Sequence, residues 1–369
     1  MKIGVPKEIL DQEYRVALTP AGVYALKTHG HEVFIENNAG LESSIKNEDF
    51  VAAGAKILNT TDDVFSTADL ILKVKQPLEN ECKKLRAKQI LFTYLHLAAD
   101  KKLAQELCKS KATCIAYETI ELPNGSLPLL TPMSEIAGRM SVQIGARHLE
   151  KYYGGKGILL GGVPGVEPAS VVIIGGGIVG INAAKMAIGL GAEVAILDNN
   201  LNRLRKLDDY FHGRLLTVYS TQHKVAELLE TADLVITAVL VTGAKAPKLI
   251  TKEILTTMQP ASVIVDVAID QGGCVEGVKP TKHSEPIIKI NDINVYSVPN
   301  IPGAVPITST RALTNATLPY VLKLANHGYD AVLDDPALAK GINVHNGYIV
   351  HKVVANSLDM EYSLLQLIK

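Results

Sequence analysis

Six residues, Gly175-Gly176-Gly177-Ile178-Val179-Gly180, limit the folds open to this chain more than any other stretch of it. They follow directly on the apolar run SVVII and open the helical pattern INAAKMAIGL. A GxGxxG so placed gives its glycines separate tasks: Gly175 permits a tight turn, Gly177 lets the backbone approach a pyrophosphate, and Gly180 lets helix and strand pack closely. The helix amino terminus then turns its partial positive charge toward the phosphates. Asp198 ends the next apolar run, EVAILD, about 20 residues on, where an acid accepts hydrogen bonds from the adenosine ribose. A 2′-phosphate there meets a carboxylate, so the motif favours NAD over NADP, with Arg203 close by to offset part of the charge. The competing reading is a glycine-rich turn with no ligand; strand, glycines, helix and acid in this order favour the dinucleotide site.

The runs SVVIIG, EVAILD, LLTVYS, DLVITAV and SVIVDVA alternate with helical patterns, the plan of a doubly wound nucleotide-binding domain. An earlier series, KIGV, HEVFIE, DLILKVK, QILFTY and ATCIAY, alternates in the same way and implies a second parallel sheet with crossover helices. Helix starts are well marked, as where Thr19 caps a helix with Pro20 in its first turn and Gly30 just past its end. Between the two series lie a helix from about Pro132 to Lys151 and a hinge, GGKGILLGGVPGVEP. After VYSVPNIPGAVP come a helix from about Ser309 to Asn326, a hairpin turning on Asn346-Gly347, and a final amphipathic helix from about Lys352 to Leu367. Since these last elements add nothing obvious to the second sheet, the chain is expected to return to the first domain. The expected architecture is α/β: two doubly wound α/β domains, with a Rossmann NAD-binding domain (131–308) inserted into a discontinuous substrate domain (1–130 and 309–369) and the active site in the cleft between them.

The composition narrows the partners. With 369 residues, 47% of them hydrophobic, the chain fills the cores of two domains of ordinary size. Lys plus Arg at 37 against Asp plus Glu at 38 leaves a net charge of -1 and no long run of one sign, which argues against nucleic acid. The four cysteines, Cys82, Cys108, Cys114 and Cys274, show neither a CxxC pair nor zinc spacing, so no metal is expected and the reduced thiols of a cytoplasm fit best. Pro6, Lys7 and Glu8 interrupt the first apolar run before it can serve as a signal-peptide core. The most apolar stretch, Val171 to Leu197, contains Asn182, Lys185 and Glu193 and lacks the roughly 20 uninterrupted apolar residues of a membrane span. A cytoplasmic protein with no membrane segment is expected.

Ligands of α/β sheets sit at strand carboxyl ends, and Lys75 (ending DLILKVKQP), His96 (ending ILFTYLH) and Arg15 (in EYRVALTP) lie at such places in the first domain. His96 exchanges protons close to neutral pH, its unperturbed pKa being about 6.5; the bland reading is a histidine that only hydrogen-bonds a loop. Arg15 suits a bidentate grip on a carboxylate, as against an ordinary surface arginine. Lys75 polarises a carbonyl, as against a solvated strand-end lysine. On the second domain Asp270, in the loop DQGG after SVIVDVA, acts on a water or an amine, while Asp266 inside that strand reads as structural. Position alone leaves these alternatives open.

At these residues the chain resembles the L-alanine dehydrogenase family, which also takes in the alpha subunits of transhydrogenases. The matching stretches are MKIGVPKE, YRVALTP, KVKQP, YLHLA, LPLLTPMSEIAGRM, GGKGILLGGVPGV, VDVAIDQGG and VPNIPGAVP, in the family's order over nearly the whole length. The resemblance implies that Arg15 and Lys75 hold the substrate carboxylate and oxo group and that His96 and Asp270 are the catalytic pair. It places Tyr94, Glu118 and Met133 around the substrate, and Ser134, Ile178, Val179, Asp198, Arg203, Ser220, Val239, Leu240, Ile269, Asp270, Asn300 and Ile301 around NAD. One departure is Ile301, where the family usually shows methionine; both are apolar, so a changed wall of the nicotinamide pocket and retained activity are expected. The implied reaction is reversible oxidative deamination of L-alanine to pyruvate and ammonium, by a homo-oligomer, a hexamer in the family, with no metal required. Three rivals remain: the NAD(H)-binding subunit of a proton-translocating transhydrogenase, a saccharopine dehydrogenase, and a non-catalytic NAD-binding module. The presence of Lys75, His96 and Asp270 together favours amino-acid chemistry over the first and third.

Overall fold

The computed structural model describes residues 1–239 and 246–365. They fall into two compact units, one of Met1–Met133 with the segment from Gly303 onward, the other of Ser134–Pro302.

The first unit opens with β1 (Lys2–Val5), β2 (Glu32–Glu36), β3 (Lys56–Leu58), β4 (Leu70–Leu72), β5 (Ile90–Thr93) and β6 (Thr113–Ala116), all paired parallel. β4, β5 and β6 are buried at every residue, as strands covered by helices on both faces must be. The helix Pro20–Thr28 starts where expected: the Thr19 side chain accepts from the Gly22 N–H, Pro20 opens the first turn, and Gly30 follows the end at φ +81°. The chain re-enters this unit with the helix Pro306–His327 and then adds β14 (Ile342–His345) and β15 (Tyr348–Ile349) to the same sheet. The hairpin turns on Asn346 (φ +48°) and Gly347 (φ +92°), the left-handed pair that a two-residue turn demands. The full order is β15-β14-β6-β5-β4-β1-β2-β3, with β14 antiparallel to β6.

The second unit carries β7 (Ser170–Ile174), β8 (Glu193–Asp198), β9 (Leu216–Tyr219), β10 (Leu234–Thr237), β11 (Val263–Asp266), β12 (Ile287–Ile290) and β13 (Ile293–Tyr296), in the order β12-β13-β11-β10-β7-β8-β9. Among the described strands of this sheet, β12 alone runs antiparallel. Each sheet therefore has one place where its winding reverses, between β1 and β4 in the first and between β7 and β10 in the second. The carboxyl ends at such a place open into the crevice that α/β proteins use for ligands.

Three elements differ from the sequence reading. β3 is a three-residue edge strand, half-exposed, and too short to show an alternation. β12 and β13 form a hairpin on Asn291 (φ +48°) and Asp292 (φ +63°), a turn signal between two apolar runs that the reading passed over. The final helix is Lys352–Leu358, shorter than the stretch to Leu367. Asp359 takes φ +51°, its N–H reaches the Asn356 carbonyl and that of Met360 the Ala355 carbonyl, while Met360 packs on the apolar core. That is a Schellman stop, and it ends the helix although the apolar pattern runs on. Residues 366–369 lie outside the described residues. No helix among the described residues is long and apolar enough to cross a membrane.

Candidate active site

Arg15, Lys75, Tyr94, Glu118 and the expected catalytic His96 follow β1, β4, β5 and β6, four neighbouring strands that include the two at the reversal point. Arg15 is 2% exposed, in the loop after β1. Its Nε and Nη2 donate to the two oxygens of Glu13 at 2.6 and 2.5 Å, and Nη1 lies 3.1 Å from the Met133 sulfur. Burial opposes the Glu13 charge, but the hydrogen bonds and charge of Arg15 outweigh it and hold the carboxyl below the ordinary range. The guanidinium is thereby fixed in one orientation before any substrate arrives.

Lys75 is half-buried beyond β4, where its carbonyl accepts from the Thr93 hydroxyl at 2.9 Å. Tyr94 is buried and donates to the Leu129 carbonyl at 2.5 Å, and burial pushes its phenol well up, so it stays protonated. His96 is exposed and stacks on Tyr94, with ring centroids 5.8 Å apart and planes at 16°. Its backbone is left-handed at φ +51°, and its N–H donates to Glu118 Oε1 at 2.5 Å. Glu118 also receives the Leu95 N–H, so one carboxylate holds the backbone turn that presents the imidazole. Arg15 with Met133, and His96 with Tyr94 and Glu118, are thus two contact sets.

Two neighbours of these groups escaped the sequence reading. Glu13 could have been found from its place two residues before Arg15 in the same loop. Behind Lys75, the fully buried Lys73 donates to Glu8 at 3.0 Å and to Glu81 at 2.9 Å, and Glu8 Oε1 receives the Val74 N–H at 2.6 Å. Burial raises the Glu8 carboxyl against the pull of Lys73, whose single charge is shared between two carboxylates. A lysine inside the apolar run LILKVK was the available signal, because a buried ammonium requires a buried partner.

In the second unit Gly175 takes the left-handed turn and Gly180 the close helix–strand approach that the motif requires. Gly175 has φ +108°, and a Cβ there would stand 2.6 Å from the Ala238 carbonyl oxygen and 3.2 Å from Val239 Cγ2. A Cβ on Gly180 would stand 1.9 Å from the Gly175 oxygen, whereas one on Gly177 would meet no protein atom within 4 Å. The helix Ile178–Gly189 makes its first backbone bond from Ile181 to the Gly177 carbonyl. The N–H groups of Ile178, Val179 and Gly180 precede that bond and so have no partner within the helix, which suits a helix amino terminus to a pyrophosphate. Asp198 receives the Gly176 N–H at 2.8 Å on one oxygen and the Asn200 N–H at 2.8 Å on the other, which fixes its carboxylate at the end of β8. Ser220 is tied to it through its N–H to the Asp198 carbonyl at 3.0 Å, and the exposed Arg203 lies over Gly176. These residues fit a dinucleotide. We expect Gly180→Ala to cost about 1–3 kcal/mol of stability, since the obstructing atom is backbone. Thermal unfolding and the NAD dissociation constant measure it, and a variant equal to the parent in both would show that this packing is unimportant.

Asp270 is exposed on the short helical turn Val267–Gln271, which also carries the buried Ile269. Both its oxygens face the Asn300 N–H, at 3.2 and 3.3 Å, and Asn300 holds φ +56°. Ile301 is 3% exposed and belongs to the apolar core of the second unit. Ser134 is half-buried at the start of the unit, and Leu240 lies outside the described residues.

Comparison with known proteins agrees with these features. Residues 4–137 match the family model described as alanine dehydrogenase/PNT, N-terminal domain, and residues 141–352 match its C-terminal domain. The chain is 56% identical to an alanine dehydrogenase of Methanococcus maripaludis over 98% of both chains. A solved L-alanine dehydrogenase superposes with a TM-score of 0.95 at 52% identity, covering 97% of this chain and 99% of that one. A transhydrogenase of Sinorhizobium meliloti shares the fold, with a TM-score of 0.81 at 24% identity over 95% of this chain and 99% of that one. Two matching domain models and a relative identical at more than half its positions, on a chain whose glycine turn and buried Arg15 stand as described, make it a member of the alanine dehydrogenase/PNT family.

Proposed function

We propose that this chain catalyses the reversible NAD-dependent oxidative deamination of L-alanine to pyruvate and ammonium, with Arg15 and Lys75 holding the substrate and His96 and Asp270 as the catalytic pair. The observation that carries this reading is the buried guanidinium of Arg15, oriented by Glu13 at a strand end in the unit that also presents Lys75 and His96. A three-carbon acid needs such a cationic seat, and identity above 50% to alanine dehydrogenases over the whole chain supports the substrate.

Bound NAD supplies the acceptor for the hydride of the substrate α-carbon and the donor in the reverse direction. The chain's own groups do the rest. Arg15 grips the carboxylate, Lys75 polarises the oxo group, His96 takes and returns the proton of the water that adds to the iminium carbon, and Asp270 stabilises the cationic nitrogen or activates that water. Tyr94, Glu118 and Met133 complete the substrate seat. Ser134, Arg203, Ser220, Val239, Leu240, Ile269, Asn300 and Ile301 join the GxGxxG and Asp198 around the cofactor, and Asp198 selects NAD. We place the enzyme in the cytoplasm, on its four free thiols, and assign it a homo-oligomer. The exposed Tyr152, Leu159, Val163 and Val166 give a second copy apolar surface to cover.

Formation of NADH from alanine and NAD by the purified protein tests the activity, and no reduced cofactor overturns it. Lys75→Met tests the seat: losing one charged hydrogen bond, about 1.5–3 kcal/mol, is expected to raise the KM for pyruvate by about ten- to a hundredfold. An unchanged KM would remove Lys75 from the site.

A further inference from the structure

Lys248 belongs to none of the groups assigned above. Its ammonium donates to three backbone carbonyls of a single loop, those of Gly272 at 2.6 Å, Gly273 at 2.8 Å and Val275 at 3.0 Å. An ammonium has three N–H donors and no acceptor, so its whole donor set is spent on this loop. Gly272 and Gly273 sit at φ +91° and +73°, a left-handed pair that side chains rarely adopt, and it is this backbone path that lets the carbonyls converge.

The same loop is held from its other side through its N–H groups. The buried Asp266 at the end of β11 accepts from Cys274 at 2.9 Å and Val275 at 3.3 Å on one oxygen, and from the Thr237 hydroxyl at 2.6 Å on the other. A Cβ on Gly273 would stand 2.5 Å from that carboxylate. The segment bearing Lys248 is stitched alongside: Ala246 N–H reaches the Gln271 carbonyl, and Leu249 and Ile250 reach that of Cys274. The gripped residues lead straight back to the turn Val267–Gln271, because Gly272 donates to the Ile269 carbonyl and Gly273 to that of Ala268. Asp270 stands on that turn.

We propose that Lys248 is a positioning residue for Asp270: its ammonium is a built-in cation that binds the carbonyls of Gly272, Gly273 and Val275 and so fixes the turn from which the Asp270 carboxylate acts. This rests on the catalytic reading of Asp270. Lys248 is exposed and is itself a member of none of the apolar clusters, including the small one of Ala246, Ala268 and Cys274 beside it.

The test uses the full-length enzyme. Lys248→Met keeps the apolar stem and removes the three donors; a displacement of about 1 Å at a reacting group costs on the order of a hundredfold in rate, so kcat for alanine oxidation is expected to fall about ten- to a hundredfold while the KM for alanine and the thermal midpoint move little. Propylammonium added to Lys248→Ala, which lacks three carbons and the nitrogen, is expected to restore turnover with saturation. A Lys248→Met enzyme with parental kcat overturns the proposal. So does a loss of kcat that follows a loss of thermal stability and is not rescued by propylammonium, since that is a purely structural role. Asp270→Asn separates the two readings: if it keeps parental turnover, the assignment of Asp270 fails and this inference with it. If Asp270→Asn is inactive while Lys248→Met is parental, the inference alone fails.

Discussion

Replacing His96 with alanine is expected to lower turnover of alanine by about 10²–10⁴-fold, the range that a positioned acid/base contributes, while NAD binding stays nearly unchanged. The backbone of residue 96 is left-handed at φ +51° and is held by the bond from its own N–H to Glu118. Alanine keeps that N–H and meets the same left-handed penalty as any side chain bearing a Cβ, so the turn persists and only the imidazole is lost. The Tyr94 ring beneath it is fixed separately by its bond to the Leu129 carbonyl. The GxGxxG cradle and Asp198 lie in the other unit, which is why cofactor affinity and turnover separate. Fluorescence titration of NADH together with steady-state kinetics reads both quantities. Near-normal turnover would refute the role given to His96, and loss of cofactor binding would show instead that residue 96 supports the fold.

Arg15→Met is expected to act on stability and substrate at once. Glu13 and Arg15 form a buried bidentate pair, with side chains 0% and 2% exposed, and removing one partner of such a pair costs about 3–5 kcal/mol, because the buried carboxylate loses its guanidinium. The pH dependence carries the sign. In the parent the Glu13 carboxyl is held below its ordinary pKa, so its contribution is present above the unfolded carboxylate range and is lost as pH falls through the folded value. Without the guanidinium the largest opposition to burial is gone and only Lys75 and the residue-15 N–H still favour the carboxylate, so the Glu13 carboxyl rises relative to the parent and the variant loses most at neutral pH. Urea unfolding at neutral and at acid pH should show a gap between parent and variant that narrows on acidification. Alanine and pyruvate lose a bidentate charged seat, and their KM is expected to rise by at least about a hundredfold, two charged hydrogen bonds being lost. Arg15→Lys restores charge without the planar fork and should recover only part of the affinity. Parental KM values in Arg15→Met would remove the guanidinium from the substrate site.

Local rules written into single residues carried most of the fold. Thr19 and Pro20, the glycines of 175–180, Asp198 and the Asn346-Gly347 turn each specify a backbone shape that little else in a chain can supply, and each stands where its chemistry puts it. β3 and the hairpin of β12 and β13 were hard to see because short strands carry few residues to show a period, and the helix after His351 stopped on a backbone motif whose deciding residue, Asp359, is no glycine. In the candidate site, Arg15, Lys75 and His96 were legible as residue types at strand ends. Of the acids behind them, Glu13 stood within reach two residues before Arg15 and was passed over, whereas Glu8 matters through Lys73 and Val74 just past β4, and a sequence does not place those beside it. The closing strand β14 shows the same limit, since its pattern gives no hint of pairing with β6.

The return of the chain to its first sheet fixes an order of assembly during synthesis. Ser134–Pro302 is one unbroken stretch, whereas β6 must wait for β14, which is synthesised only after that whole stretch. Until then β6, buried at all four residues in the finished sheet, is an open edge of Thr113–Ala116 on which other nascent chains can pair. The contiguous unit is thus complete in sequence before the other, and a chain truncated before Ile342 would leave that sticky border permanently uncovered.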